Sequence, residues 1–142
     1  MVVKWKYFRH LLGFYEKGAE RRYIWHINER IGPRMRAGLP TDQWKRCIED
    51  YQKASEQLLV SMRRDGFLPT EPIPIDVEGE LFGGAHRLAC AMALNIKLVT
   101  VNQIDNKVWA SPWNMAWFVE HGMEPSDLRQ IENDWELLQW VS

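Results

Sequence analysis

Apolar residues recur at helical spacing through the first third of the chain, shorten to strand-like runs in the middle, and return to helical spacing at the end. Trp5, Phe8, Leu11, Leu12 and Tyr15 fall on one side of a short helix over 5–15, weakened by Gly13 and ended by Gly18. Residues 19–31 form a second helix in this pattern, and Gly32-Pro33 reads as a loop. Pro40 and Thr41 open a third helix, with Thr41 as N-cap. Trp44, Cys47, Ile48, Tyr51, Ala54, Leu58, Leu59 and Met62 stripe one face of it until Gly66. Such an aromatic stripe is a core face.

From Glu71 to Val77 the chain reads as a strand, Gly79 as a turn, and Glu80-Leu81-Phe82 as a returning strand. Leu88, Ala89, Met92, Ala93 and Leu94 then mark a buried helical face, with Asn95 as a left-handed cap and Leu98-Val99-Thr100-Val101 as a further strand. Ser111-Pro112 opens a helix carrying Trp113, Trp117 and Phe118. Ser126-Asp127 opens another, with Leu128, Ile131, Trp135 and Leu138 on its apolar face. Eight tryptophans are many for this length, and most belong in a core or interface. Trp109 and Trp113 follow the last strand and are the better placed to stack on a ligand.

With 142 residues, one domain with one core is expected. The longest apolar run, Leu88 to Leu94, is too short to cross a bilayer, and the first residues carry no signal-peptide apolar region. Cys47 and Cys90 make neither a disulfide framework nor a Cys-x-x-Cys pair. These features fit a cytoplasmic protein with no membrane partner. Residues 1–36 hold nine Lys/Arg against three Asp/Glu, and residues 104–142 hold two against seven. The two ends can therefore pair electrostatically within one fold. The basic run Arg30, Arg34 and Arg36 around the expected loop either reaches an anionic substrate or stays solvated.

The chemistry concentrates in Leu81-Phe82-Gly83-Gly84-Ala85-His86-Arg87. Gly83 and Gly84 allow a tight turn and close approach of a ligand to the backbone. The first N–H groups of the following helix point at that spot, where the helix dipole favours an anion. Arg87 can fork two hydrogen bonds to phosphate oxygens and His86 can donate another. Phosphate or nucleotide binding by Gly83, Gly84, Ala85, His86 and Arg87 is the functional reading. A plain turn before a helix is the structural one.

Met62 to Val101 resembles the core of the ParB/sulfiredoxin-like superfamily. The likeness lies in a helix ending at Arg64-Asp65-Gly66-Phe67, the Pro-Ile strand Pro72 to Val77, and the helix start Gly84-Ala85-His86-Arg87-Leu88-Ala89-Cys90. Phe82-Gly83-Gly84 and His86-Arg87 match the sulfiredoxin signature, but Ala85 stands where that family has its catalytic cysteine. Alanine is no nucleophile, so the resemblance argues for the phosphate-binding half of that site and against sulfinic acid reduction. Cys90 lies five positions on, among alanines, and reads as a buried structural thiol.

The resemblance implies an α/β (α+β) fold, a small mixed sheet flanked by helices, and the helical pattern of the flanks, which match nothing in that family, adds N- and C-terminal helices. The chain thus reads as an N-terminal helical extension (1–40), the core (41–103) and Trp-rich C-terminal helices (104–142). Its small-molecule kinase branch implies ATP or another nucleoside triphosphate, Mg²⁺ and a small polar or sugar-like acceptor. In that reading His86 and Arg87 stabilise the transferring phosphoryl group, Asp76 assists catalysis and Glu80 holds the metal, with Glu71 and Glu78 the other nearby carboxylates. The alternative is a non-catalytic nucleotide- or anion-binding module whose helical ends dock a protein partner. A DNA-partitioning role fits less well, because net charge −1 supplies little for phosphate neutralisation and no helix-turn-helix is recognisable.

Overall fold

The computed structural model describes residues 1–39, 45–107 and 114–141. Among the described residues, six helices and two short strands follow one another as α1 (Val2–Leu11), α2 (Ala19–Arg36), α3 (Ile48–Asp65), β1 (Ile73–Ile75), α4 (Ala85–Ala93), β2 (Val101–Gln103), α5 (Met115–Glu120) and α6 (Pro125–Val141). The architecture is a helix-rich α+β arrangement around a two-stranded parallel sheet. β1 pairs with β2 in the register Ile73–Val101, Pro74–Asn102 and Ile75–Gln103, with α4 as the crossover. The returning strand expected at Glu80–Phe82 reduces to one antiparallel bridge between Ile75 and Leu81. The last strand begins at Val101 rather than Leu98. No helix among the described residues is long and apolar enough to cross a membrane.

Two apolar clusters fill the interior, and α1 belongs to both. Val2, Val3 and Tyr7 pack with Tyr23, Ile27 and Ile31 of α2, Trp117 and Phe118 of α5, and Ile131 of α6. Trp5 and Phe8 pack with Leu59 and Met62 of α3 and with Ala89, Cys90 and Ala91 of α4. Every residue from Val2 to Phe8 is buried, so α1 is wedged between the helical ends and the helix of the β–α–β unit. Small residues on α4 permit this approach, since alanine side chains let two helices come close.

Several helix boundaries differ from the sequence reading for local reasons. α1 stops at Leu11, because Gly13 (φ +89°) turns the chain, and Tyr15 is left 90% exposed. α2 continues through Gly32-Pro33 to Arg36, so Arg30, Arg34 and Arg36 lie on a helix and not in a loop. Proline costs one main-chain bond there, but its φ is helical. Arg34 and Arg36 occupy the last turn, where the dipole favours cations. α3 begins at Ile48 with Cys47 as N-cap, and Asp50 reaches back to accept from the Arg46 N–H at 2.7 Å. Pro40, Thr41 and Trp44, like Trp109, Ser111, Pro112 and Trp113, fall outside the described residues. Asn114 caps α5, accepting from the Trp117 N–H at 3.0 Å. Trp135, expected on the apolar face of α6, is half exposed.

The oppositely charged ends meet. Asp127, in the first turn of α6, takes a two-pronged contact from Arg21 (2.6 and 2.7 Å) and a further one from the buried Arg22 at 3.2 Å. Lys6 of α1 bridges Glu16 at 2.8 Å and Asp134 of α6 at 3.2 Å.

Candidate functional site

The start of α4 carries the site. Gly84 is its N-cap in a left-handed conformation (φ +73°, ψ +14°), and no side chain caps the helix. The first main-chain bond into the helix is Leu88 N–H to the Gly84 carbonyl at 3.0 Å. The N–H groups of Ala85, His86 and Arg87 therefore have no main-chain acceptor among the described residues. Gly84 is also needed for space: a Cβ there would lie 3.2 Å from Arg87 Nη2 and 3.3 Å from Ile73 Cγ2. The Arg87 guanidinium thus folds back over the turn that opens its own helix. It donates through Nη1 to the Glu71 carbonyl in a short contact, and through Nη2 more weakly to the Pro72 carbonyl at 3.4 Å. Those bonds take two of its five N–H donors and tie α4 to the chain entering β1. A small cavity of about 50 Å³ adjoins it, walled by Leu58, Met62 and Phe67.

His86 turns inward. Its Nε2 lies 3.0 Å from the Tyr23 hydroxyl, which lies 3.1 Å from Ser55 Oγ, and Ser55 donates to the Tyr51 carbonyl at 2.9 Å. Burial, then the positive charges of Lys4, Arg30 and Lys45, hold the His86 pKa well below the usual histidine range. The imidazole is therefore neutral at pH 7. His26 of α2, buried near Lys4 and Arg30, is pushed down to about 2, chiefly by desolvation. Burial also pushes the Tyr23 phenol up. A basic interior consequently backs the helix start, built from α1, α2 and the approach to α3.

Asp76 and Glu80 lie elsewhere. Asp76 is fully buried, and its Oδ1 accepts from the Glu78 and Glu80 N–H groups, both at 2.8 Å. The Glu80 carbonyl accepts from the Asp76 N–H at 2.9 Å. Asp76 thereby closes the turn that Gly79 (φ +85°) makes possible. Arg87 and Gly84 sit against the start of β1, at Pro72 and Ile73, while Asp76 follows its end. Three residues of extended chain, about 10 Å, separate the two. The Glu80 side chain is exposed. Among the described residues no group of three or more His, Cys, Asp or Glu is arranged to hold a metal ion. Cys90 is buried in the α1–α4 contact, and desolvation pushes its thiol up to about 12, which leaves it unreactive.

The fold thus brings Gly84, Arg87 and the open N–H groups together, and adds Tyr23 and Ser55, which no local pattern marks. They come from α2 and α3, 63 and 31 positions before His86, and nothing in their neighbourhood resembles a site motif. No family model, curated protein or solved structure matches the chain.

Proposed function

We propose that this chain is a ParB/sulfiredoxin-like module that binds the phosphates of a nucleoside triphosphate, ATP being the first to test, at the start of α4. The observation that carries the reading is the Arg87 guanidinium lying against Gly84, beside three N–H groups without main-chain acceptors. Fixed N–H donors, a helix dipole and a planar cation on one spot suit a multiply charged oxyanion. The order β1, hairpin, α4, parallel β2 supports the same reading.

Binding without phosphoryl transfer is the form the geometry favours. Transfer needs a metal-bridged phosphate and a group that positions the acceptor. Asp76 is occupied in closing its turn, about 10 Å along the chain, and Glu80 lies at the far end of that turn.

Titration calorimetry with ATP and CTP, with and without Mg²⁺, tests the proposal alongside an assay for released or transferred phosphate. Binding without turnover is expected, and Arg87→Ala should weaken it about tenfold or more, the worth of one charge-assisted contact. Unchanged affinity in Arg87→Ala removes the site. Turnover of ATP with a hydroxyl acceptor restores the phosphotransferase.

A further inference from the structure

We propose that the open edge of β2 pairs antiparallel with the same edge of a second copy of this chain, with Val101 on the two-fold axis, so that the two small sheets become one continuous sheet. The contact uses none of the residues assigned to phosphate and stands apart from that reading.

The hydrogen-bond pattern shows which edge is open. Toward β1, the Thr100 carbonyl accepts from the Ile73 N–H at 2.9 Å, and the Ile104 N–H donates to the Ile75 carbonyl at 2.8 Å. Main-chain groups alternate sides along an extended chain, so those of Val99, Val101 and Gln103 point away from β1. They have no main-chain partner among the described residues. The far edge of β1 is closed instead, since Phe82 donates to the Pro74 carbonyl at 3.0 Å and Asp76 to the Glu80 carbonyl at 2.9 Å. From Ile96 to Ile104 the chain runs without a bend. Leu98 is 87% and Val101 50% exposed, and Asn102 and Gln103 are exposed beside them. An extended edge with open main-chain groups, exposed apolar side chains and no proline is a template for a further strand.

The residues along this edge complement themselves in one register. A two-fold contact is isologous, so residue i meets residue j and j meets i. With Val101 opposite Val101 of the second copy, Val99 meets Gln103, Leu98 meets Ile104 and Lys97 meets Asp105, each pair occurring on both sides of the axis. Outward main-chain groups then meet outward groups, as an antiparallel ladder requires. Slipping to Val101 opposite Gln103 sets Lys97 against Lys107, and slipping the other way, to Val101 opposite Val99, sets Lys97 against Gln103. Opposite charges facing across a pair favour a register and like charges oppose it. The charges therefore select the pairing centred on Val101, which also places an apolar side chain against the exposed Leu98. A net charge of −1 adds little general repulsion between copies. A ladder this short buries less than a standard interface, so a transient dimer is expected, with a dissociation constant of about 10 μM to 1 mM.

Sedimentation equilibrium and amide exchange by NMR on the full chain, over concentrations spanning that range, test the pairing. The expected result is a monomer–dimer equilibrium in which the N–H groups of Val99, Val101 and Gln103 gain protection as concentration rises. The Ile104 N–H, already bonded to β1, should not change. Lys97→Asp and Asp105→Lys should each weaken the dimer about tenfold, and the two together should restore it. Within one chain these positions lie about 26 Å apart along an extended strand, so only a contact between copies gives the rescue. A monomer at every concentration, with the three amides unprotected, overturns the pairing and leaves the edge to a different protein. Protection of the three amides at high dilution shows that the chain covers its own edge, and overturns it equally. A dimer indifferent to the charge reversals, or weakened by them and not rescued by the exchange, does the same.

Discussion

Replacing Asp76 by alanine should cost stability by at least the worth of the two hydrogen bonds that close its turn. Asp76 Oδ1 accepts the N–H groups of Glu78 and Glu80, each at 2.8 Å, from a side chain with no exposed surface. A bond from an amide to a charged acceptor contributes about 1.5–3 kcal/mol. Both donors belong to exposed residues and regain water when the carboxylate is lost. The net loss should therefore fall near the lower end, about 3 kcal/mol for the pair. With a urea slope of about 1–3 kcal/mol/M, the midpoint should drop by about 1–3 M, read by fluorescence of the tryptophans. Asp76→Asn keeps an oxygen in place and loses only the charge, so about 1 kcal/mol is expected. An alanine variant with the original midpoint would show that the turn does not depend on this carboxylate. An asparagine variant as damaged as alanine would show that charge, and not the pair of bonds, is what matters. Either result reopens Asp76 as a group available for chemistry.

The protein should also lose stability as pH falls below about 6.5. His26 is pushed down to about 2 and His86 well below the ordinary value, so the unfolded chain takes up protons that the folded chain refuses. Their stabilisation is complete above the unfolded pKa and declines below it, by about 1.4 kcal/mol for His26 between pH 7.5 and 5.5, with His86 acting in the same direction. Urea midpoints at those two values should differ accordingly, with the difference reduced in His26→Phe, and a flat profile would contradict the burial of these rings. Asp127→Ala strands the buried Arg22 without its carboxylate and should cost about 3 kcal/mol, visible as a lowered thermal midpoint. If Arg22→Met in the same background does not recover part of that loss, the uncompensated cation is not its source.

Features governed by neighbours a few residues apart were legible along the chain. Gly84 lies in the left-handed region, Asn95 (φ +59°) follows α4 as anticipated, and Gly66 ends α3. The apolar stripe of α3 is buried at Tyr51, Leu59 and Met62. The β1–turn–α4 order appeared as read, because turn, cap and helix periodicity are short-range preferences. The α3 start and the strand lengths did not, since pairing partners and masking of polar groups settle where an element begins.

The direction in which the charged and aromatic side chains of those elements point was decided elsewhere. His86 faces Tyr23 because α2 crosses behind the helix start, and Arg87 lies on the Glu71 and Pro72 carbonyls because α4 folds back over β1. Lys4 and Lys6 are buried in a helix whose pattern gave no reason to expect it, because α1 is gripped from two sides. A backbone conformation is chosen mainly by sterics within a few bonds, so local residue order can specify it. The partner of a side chain is chosen by which distant segment packs against it, and only the assembled chain supplies that segment.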